Sequence, residues 1–198
     1  MNGRSRRGWI PVLGILLLLS TVVTAHAECQ LVILDFDELK AADANIRGIG
    51  QTYSDDGMTL TALSSAVSNP DFNVAGALSS SFAGTTMLFH HISGGEIRLT
   101  RADGRAFDFR AISLAELPSF DGTGHPINFG PFEVTFLGSR DDGSTVTRTV
   151  TANPFPEIDT FKFHGFSNVT VVTWHQGGGG APGLSTHQFG NVIAGFHR

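Results

Sequence analysis

The sequence contains one cysteine, Cys29, so no disulfide can form within the chain. It has one tyrosine and two tryptophans, and one of those tryptophans lies at position 9. No second hydrophobic segment follows residue 27, and no repeat of about 20–50 residues is visible. These absences exclude a disulfide-stapled scaffold and a repeat array. We therefore expect a soluble chain that is held together by its hydrophobic core.

The first 27 residues have the pattern of a secretory signal peptide. Three arginines precede an apolar run at 12–23, which is short for a membrane span, and residues 25–27 are typical of a cleavage site. Residues 5–10 also resemble a twin-arginine export signal, so the export route stays open. Glu28 before Cys29 does not fit a lipobox. We predict a secreted or periplasmic bacterial protein, with a signal peptide at 1–27 and a single domain at 28–198.

The predicted mature chain is acidic. Without the three leader arginines it has 10 Lys and Arg against 18 Asp and Glu, a net charge of −8. An acidic surface repels phosphate backbones, which argues against a nucleic-acid partner. We also expect no membrane association after signal cleavage.

The segment at 94–151 defines the fold class. Two Asp-Gly pairs, at 103–104 and 142–143, each lie between runs of alternating apolar and polar residues. An Asp-Gly pair is a strong hairpin signal because glycine accepts the positive φ of a tight turn. The pattern predicts two β-hairpins in an antiparallel protein.

Three further patterns give testable detail. Residues 31–36 (LVILDF) are apolar on both faces of the alternation, which predicts a strand buried on both sides. The alternation changes parity between Phe109 and Ile112, which predicts a β-bulge near Arg110 and Ala111. Threonines alternate through 145–151, which predicts a half-exposed or edge strand. About ten short strands at this spacing favour an all-β, two-sheet antiparallel sandwich of the jelly-roll kind.

Six segments together carry a resemblance to a known group of proteins: 34–39 (LDFDEL), 104–116 (GRAFDFRAISLAE), 134–138 (VTFLG), 142–146 (DGSTV), 161–166 (FKFHGF) and 188–193 (QFGNVI). They resemble exported bacterial β-sandwich proteins, many of which carry a PEP-CTERM surface-sorting tail. The resemblance implies a galactose-binding-type jelly roll, a family whose members largely lack a known biochemical role. In such proteins an Asp commonly precedes the position of Asn191, where this chain has Gly190, and no sorting tail precedes Arg198.

A pair of acids raises the possibility of catalysis. Glu157-Ile158-Asp159 is similar to the start of the acidic signature of laminarinase-like glycosidases, and alternation places both acids on one face. Lys162 stands where that signature has its third acid. The sequence therefore predicts a protein without enzymatic activity.

Two kinds of metal site are considered. Asp35, Asp37 and Glu38 offer oxygen ligands for a structural calcium ion, with a solvated acidic turn as the alternative interpretation. Three histidines on successive predicted strands, His164, His175 and His187, are compatible with zinc, although nothing in the sequence fixes their facing. Scattered histidines are the favoured interpretation.

Sugar recognition favours exposed aromatic rings that stack on the pyranose face. Trp174 and His175, beside the glycine-rich loop at 177–183, form the first candidate platform. Phe120, Asp121 and His125, in the loop after the bulged strand, form the second. A structural role is the alternative for each.

The sequence thus predicts an exported, non-enzymatic module that binds an extracellular glycan or cell-surface component. A structural or matrix protein without a small ligand is the first alternative. A divergent jelly-roll glycosidase is the second.

Overall fold

The structure, a computed structural model, describes residues 29–65, 68–90, 92, 94–120, 123, 126–127, 130–176 and 186–197. Within them the chain forms β-strands and one short 3₁₀ turn, Asp37–Leu39. The first eight strands are β1 (Cys29–Leu34), β2 (Ile46–Gly50), β3 (Thr52–Asp55), β4 (Met58–Leu63), β5 (Phe72–Ala75), β6 (Leu88–His90), β7 (Glu96–Arg101) and β8 (Asp108–Glu116). They are followed by β9 (Ser119–Phe120), β10 (Pro126–Ile127), β11 (Phe132–Arg140), β12 (Thr145–Ala152), β13 (Asp159–Lys162), β14 (Val169–His175) and β15 (His187–His197).

These strands form two antiparallel sheets. The seven-stranded sheet has the order β13-β8-β15-β6-β5-β2, and β1 pairs with β15 beside β6. The six-stranded sheet has the order β12-β11-β14-β7-β4-β3, which makes β12 an edge strand as its threonine pattern predicted. A separate two-stranded ladder joins β9 and β10. The all-β sandwich predicted from the sequence is confirmed.

Aromatic rings fill the space between the two sheets. Trp174 is fully buried, with its ring centroid 5.4 Å from that of Phe136 and 5.2 Å from that of Phe189. Phe109 and Phe163 are 4.5 Å apart by the same measure. Burying one such side chain contributes about 1.5–3 kcal/mol. The phenylalanine-rich core therefore provides the stabilisation of a fold that has no intramolecular disulfide.

The Asp-Gly turns fall where the sequence placed them, but they do not all form hairpins. The turn at 142–143 joins β11 to β12, which pair in register. The turn at 103–104 is also present, and the amide of Gly104 donates to the carbonyl of Arg101. However, β7 and β8 belong to different sheets, so this turn passes the chain across the sandwich. The predicted hairpin at 103–104 is wrong. The Asp-Gly pair determines the backbone conformation of the turn, but it does not determine which strand β8 pairs with.

The predicted β-bulge is present at Arg110. On β15, Ile193 pairs with Ala111 and the next residue, Ala194, pairs with Phe109, which leaves Arg110 without a partner. The extra residue shifts the inward–outward alternation of β8 by one position. The apolar side chains before and after Arg110 therefore all point into the core. The four buried side chains of this segment are Phe107, Phe109, Ile112 and Leu114.

The first strand differs from its prediction. Val32 and Leu34 are buried, but Leu31 is 57% exposed and Ile33 is 50% exposed. The prediction of burial on both faces is wrong because nothing in the described residues covers the outer face of β1. Its apolar run therefore leaves aliphatic side chains on the surface.

Within the described ranges, the structure contains no helix with the length and apolar character needed to span a membrane.

Candidate functional site

The outer face of the seven-stranded sheet brings together side chains from both ends of the chain. Cys29 on β1 is the register partner of His197 on β15, and Leu31 is the partner of Gly195. On the other side of β15, Gly195 pairs with Asp108 of β8. Because side chains alternate along a strand, these residues share the face opposite the core.

A groove of about 640 Å³ opens on this face. That volume lies in the usual range for a small-ligand site, which is roughly 300–1,000 Å³. Its lining combines apolar, cationic, anionic and hydroxyl groups. The lining residues are Leu31, Asp108, Phe109, Arg110, Ala111, Lys162, Phe163, His164, Gly165, Phe166, Ser167 and Ile193.

The polar wall of the groove is a hydrogen-bonded cluster around Asp108. Nη2 of Arg110 donates to Oδ2 of Asp108 at 3.3 Å and to Sγ of Cys29 at 2.9 Å. Nε2 of His197 lies 3.0 Å from the same oxygen of Asp108. The other carboxylate oxygen accepts the amide N–H of Asn168 at 3.2 Å. These contacts orient the carboxylate, which is only 13% exposed.

The bulge and a glycine make this cluster possible. The side chain of Arg110 lies against Gly195, where an added Cβ would be 2.6 Å from Nε of Arg110 and 2.9 Å from Sγ of Cys29. Any larger residue at this position would displace both groups. Gly195 therefore leaves the space that the guanidinium and the thiol occupy.

The predicted stacking platform at Trp174 is wrong. Its indole is fully buried between the sheets and presents no surface to a ligand. The physical reason is parity: Val172 and Trp174 both point into the core, whereas Thr173 between them is half-buried. Tyr53, the one tyrosine of the chain, is also buried, and its hydroxyl donates to Glu38. Burial, and then that hydrogen bond, raise the pKa of Tyr53 well above its ordinary value.

His175 is exposed, in a second and smaller pocket. This pocket of about 380 Å³ also contains Ser64, Ser65, Glu96 and Arg98. It lies at the far end of β14 from Val169, whose bridge to Phe107 is close to the groove. The structure therefore separates His175 from the groove and leaves it without the indole that was expected beside it.

The second predicted platform is only partly within the described residues. The backbone of Phe120 ends β9 and pairs with Pro126. Asp121 and His125 lie outside the described residues, so a ligand-binding role for these three residues stays a prediction.

The proposed calcium ligands lie at the 3₁₀ turn that follows β1. Asp35 accepts the amide N–H of Asp37 at 3.1 Å, and Glu38 accepts the Tyr53 hydroxyl. Glu38 also lines a pocket of about 210 Å³ together with two cations, Lys40 and Arg47. Calcium at Asp35, Asp37 and Glu38 stays a prediction.

The acid pair considered for glycoside hydrolysis lies elsewhere. Asp159 accepts hydrogen bonds from the backbone and side-chain amides of Asn153, at 2.6 and 3.3 Å. Glu157 is exposed in the loop before β13. Neither residue lines the groove.

The three histidines considered for zinc do not meet. His164 and His175 are exposed, whereas His187 is completely buried. Its ring stacks on that of Phe132, with centroids 5.9 Å apart and planes 12° from parallel. Neither ring nitrogen of His187 has a hydrogen-bond partner within the part of the chain that the structure describes. Burial lowers the pKa of His187 from 6.5 to about 3.

The sequence did not bring the groove residues together: Arg110 was named for the bulge and His164 as a zinc candidate, but neither was assigned to a groove. Cys29, Asp108 and His197 are far apart along the chain and meet only through the pairing of β1, β15 and β8. The available signal was the parity change before Ile112. That parity change predicts that the side chain of Arg110 departs from the alternation, but it does not predict which residues surround it.

No family model matches the sequence, and no curated protein matches it. Among solved structures, a family 29 carbohydrate-binding module complexed with mannohexaose is 12% identical, with a TM-score of 0.37, over 85% of this chain and 92% of that one. A family 32 carbohydrate-binding module from C. perfringens NanJ in complex with galactose is 13% identical, with a TM-score of 0.39, over 75% of this chain and 99% of that one. At these levels neither similarity assigns a ligand to this chain.

Proposed function

We propose that this chain is an exported, non-enzymatic module that binds an extracellular glycan, or a surface component that carries one, in the outer-face groove. The supporting observation is the combination of groups along the groove. Leu31 and Ile193 offer aliphatic surface, while Asp108, Arg110 and Lys162 offer an acceptor and donors. A sugar ring requires both kinds of contact, because it has a C–H face and a rim of hydroxyls.

The composition of the groove also bears on the kind of binding. Within the described residues, none of the strongly exposed apolar side chains is aromatic; they are leucines and isoleucines such as Leu31 and Ile33. Aliphatic groups give a sugar less specific contact than a flat ring does. We therefore expect weak binding of a single sugar and stronger binding of longer chains.

A binding role fits the groove better than hydrolysis does. Glycosidases use two carboxyl groups, about 5 Å apart in retaining enzymes and roughly 6.5–9.5 Å apart in inverting ones. Among the described residues that line the groove, Asp108 alone carries a carboxylate. Its hydrogen bonds with Arg110 and Asn168 orient the carboxylate, whose oxygens can accept from sugar hydroxyls.

The test is a glycan array of the exported protein, with neutral and uronate-containing oligosaccharides, with and without calcium. Hits are then measured by titration calorimetry. Arg110→Gln and Lys162→Gln remove donors from the groove, and each should weaken binding about tenfold or more, because hydrogen bonds to charged groups contribute about 1.5–3 kcal/mol.

Matched controls come from the pocket around His175. Arg98→Gln removes a guanidinium of similar exposure outside the groove and should leave binding unchanged. Loss of binding in Arg98→Gln or His175→Ala, with binding retained in Arg110→Gln, would move the site to that pocket. An array without any hit would remove the glycan proposal.

A further inference from the structure

We propose that Cys29, Asp108 and His197 bind a thiophilic divalent cation of the zinc class at the end of the groove. The proposal does not depend on glycan binding. Within the part of the chain that the structure describes, this is the one set of three His, Cys, Asp or Glu side chains whose ligand atoms all lie within 4.8 Å of one another.

The geometry is close to that of a coordination sphere. Zinc binds sulfur at about 2.3 Å and nitrogen or oxygen at about 2.0–2.2 Å, so tetrahedral ligand atoms are separated by roughly 3–4 Å. Nε2 of His197 and Oδ2 of Asp108 are already 3.0 Å apart. The ligands come from three paired strands, β1, β8 and β15, so the sheet holds their backbones in place.

The cluster already holds a positive group. The guanidinium of Arg110 donates to both the thiol of Cys29 and the carboxylate of Asp108, which are two of the three ligands. Nε of Arg110 is buried and has no hydrogen-bond partner in the described ranges. Since its side chain is 41% exposed, it can turn toward solvent and give its place to a metal ion. The guanidinium of Arg110 therefore competes with a metal ion for the thiol and the carboxylate.

Two neighbouring features support a preorganised metal site. Gly195 leaves open the space beside Sγ of Cys29 that a methyl group would fill. The second oxygen of Asp108 is held by the amide of Asn168, which fixes the carboxylate from outside the cluster. Such outer contacts are a regular part of metal sites.

The donor set indicates the class of metal. A thiolate and an imidazole favour zinc and similar transition metals over calcium or magnesium, which prefer oxygen. On binding, the S–H bond of Cys29 is replaced by a metal–sulfur bond, and the proton leaves to solvent. No oxidant or reductant takes part. Three protein ligands leave a fourth position for water.

The experiment uses the exported protein without a histidine tag, reduced with a phosphine, with its N-terminus verified by mass spectrometry. Zn²⁺ binding is measured by calorimetry, and Co²⁺ binding by its thiolate-to-metal absorption band. We expect one equivalent of metal and a band that disappears in Cys29→Ser. Affinity should fall more than about 100-fold in Cys29→Ser and His197→Gln, because even outer contacts are worth 10–100-fold.

Two variants separate a metal site from an ordinary ion-pair cluster. Arg110→Gln removes the competing cation and should raise zinc affinity several-fold, whereas Gly195→Ala keeps all three ligands and should lower it. His164→Gln, at an exposed histidine outside the cluster, should have no effect. The proposal is overturned if wild type lacks the cobalt band, or if Cys29→Ser binds zinc as tightly as wild type. Circular dichroism identifies any variant that fails to fold, and Cys29→Ser, the smallest change, decides the matter.

Discussion

We expect the free energy of unfolding to fall as the pH drops below about 6.5, because His187 is buried in its neutral form. The ring has no exposed surface and stacks on Phe132, and neither nitrogen has a hydrogen-bond partner among the residues that the structure describes. Its pKa is lowered from 6.5 to about 3 by burial. Between these two pKa values, His187 is therefore neutral in the folded chain and protonated in the unfolded chain.

The sign and size follow from these two values. Between pH 6.5 and 3 the unfolded state carries more protons on His187 than the folded state, so stability rises with pH across this window. The loss relative to neutral pH is about 2 kcal/mol at pH 5, and about 5 kcal/mol once the pH is below 3. Above pH 6.5 both states are neutral at this position and the effect vanishes.

The assay is urea denaturation, followed by the fluorescence of the buried Trp174, at several pH values between 7.5 and 4.5. His187→Leu removes the titrating ring and should lose about 2 kcal/mol less than wild type between pH 7.5 and pH 5. His175→Gln, at an exposed histidine, should keep the wild-type profile. The difference between variants isolates His187 from the carboxylates that titrate in the same range.

Parallel pH profiles for wild type and His187→Leu would refute the reasoning. So would a wild type that gains stability toward pH 5. An ion pair between protonated His187 and its register partner, the buried Glu116, would give that second result.

Three further predictions concern packing and turns. Trp174→Ala should cost about 3–5 kcal/mol in denaturation, because it empties a buried site, and should leave glycan affinity unchanged. Gly138→Ala should cost about 1–3 kcal/mol, because the new methyl would lie 2.9 Å from Val146 and Val169. Gly143→Ala should cost about 1–2 kcal/mol, because φ there is 79°. Loss of glycan binding in a folded Trp174→Ala variant would contradict the first prediction. An unchanged melting temperature in Gly138→Ala would contradict the second, and a more stable Gly143→Ala would contradict the third.

Local features of the fold could be predicted because they depend on neighbouring residues. The bulge at Arg110 follows from the positions of Phe109 and Ile112 alone, since both must reach the core. The turn at 103–104 follows from its glycine. The pairing of β8 with β15 rather than β7 could not be predicted, because turn chemistry says nothing about which sheet a strand joins.

The candidate site was less predictable for a related reason. Leu31 and Ile33 suggested a buried strand, although β1 has an uncovered face that only the sheet arrangement shows. Trp174 suggested a surface platform because it lies near the glycine-rich loop at 177–183 in the sequence, but the parity it shares with Val172 places it inside. Cys29 was recognised only as an unpaired thiol. Its neighbours His197 and Asp108 depend on long-range register.

The pairing of β1 with β15 has a consequence for how the molecule forms. Leu34 meets Val192, and Cys29 meets His197, so the earliest strand has its ladder partner among the final residues of the sandwich. During synthesis β1 therefore waits without this partner until β15 has been made. Loss of β15 would leave β1 without its ladder and would expose the edges of β6 and β8.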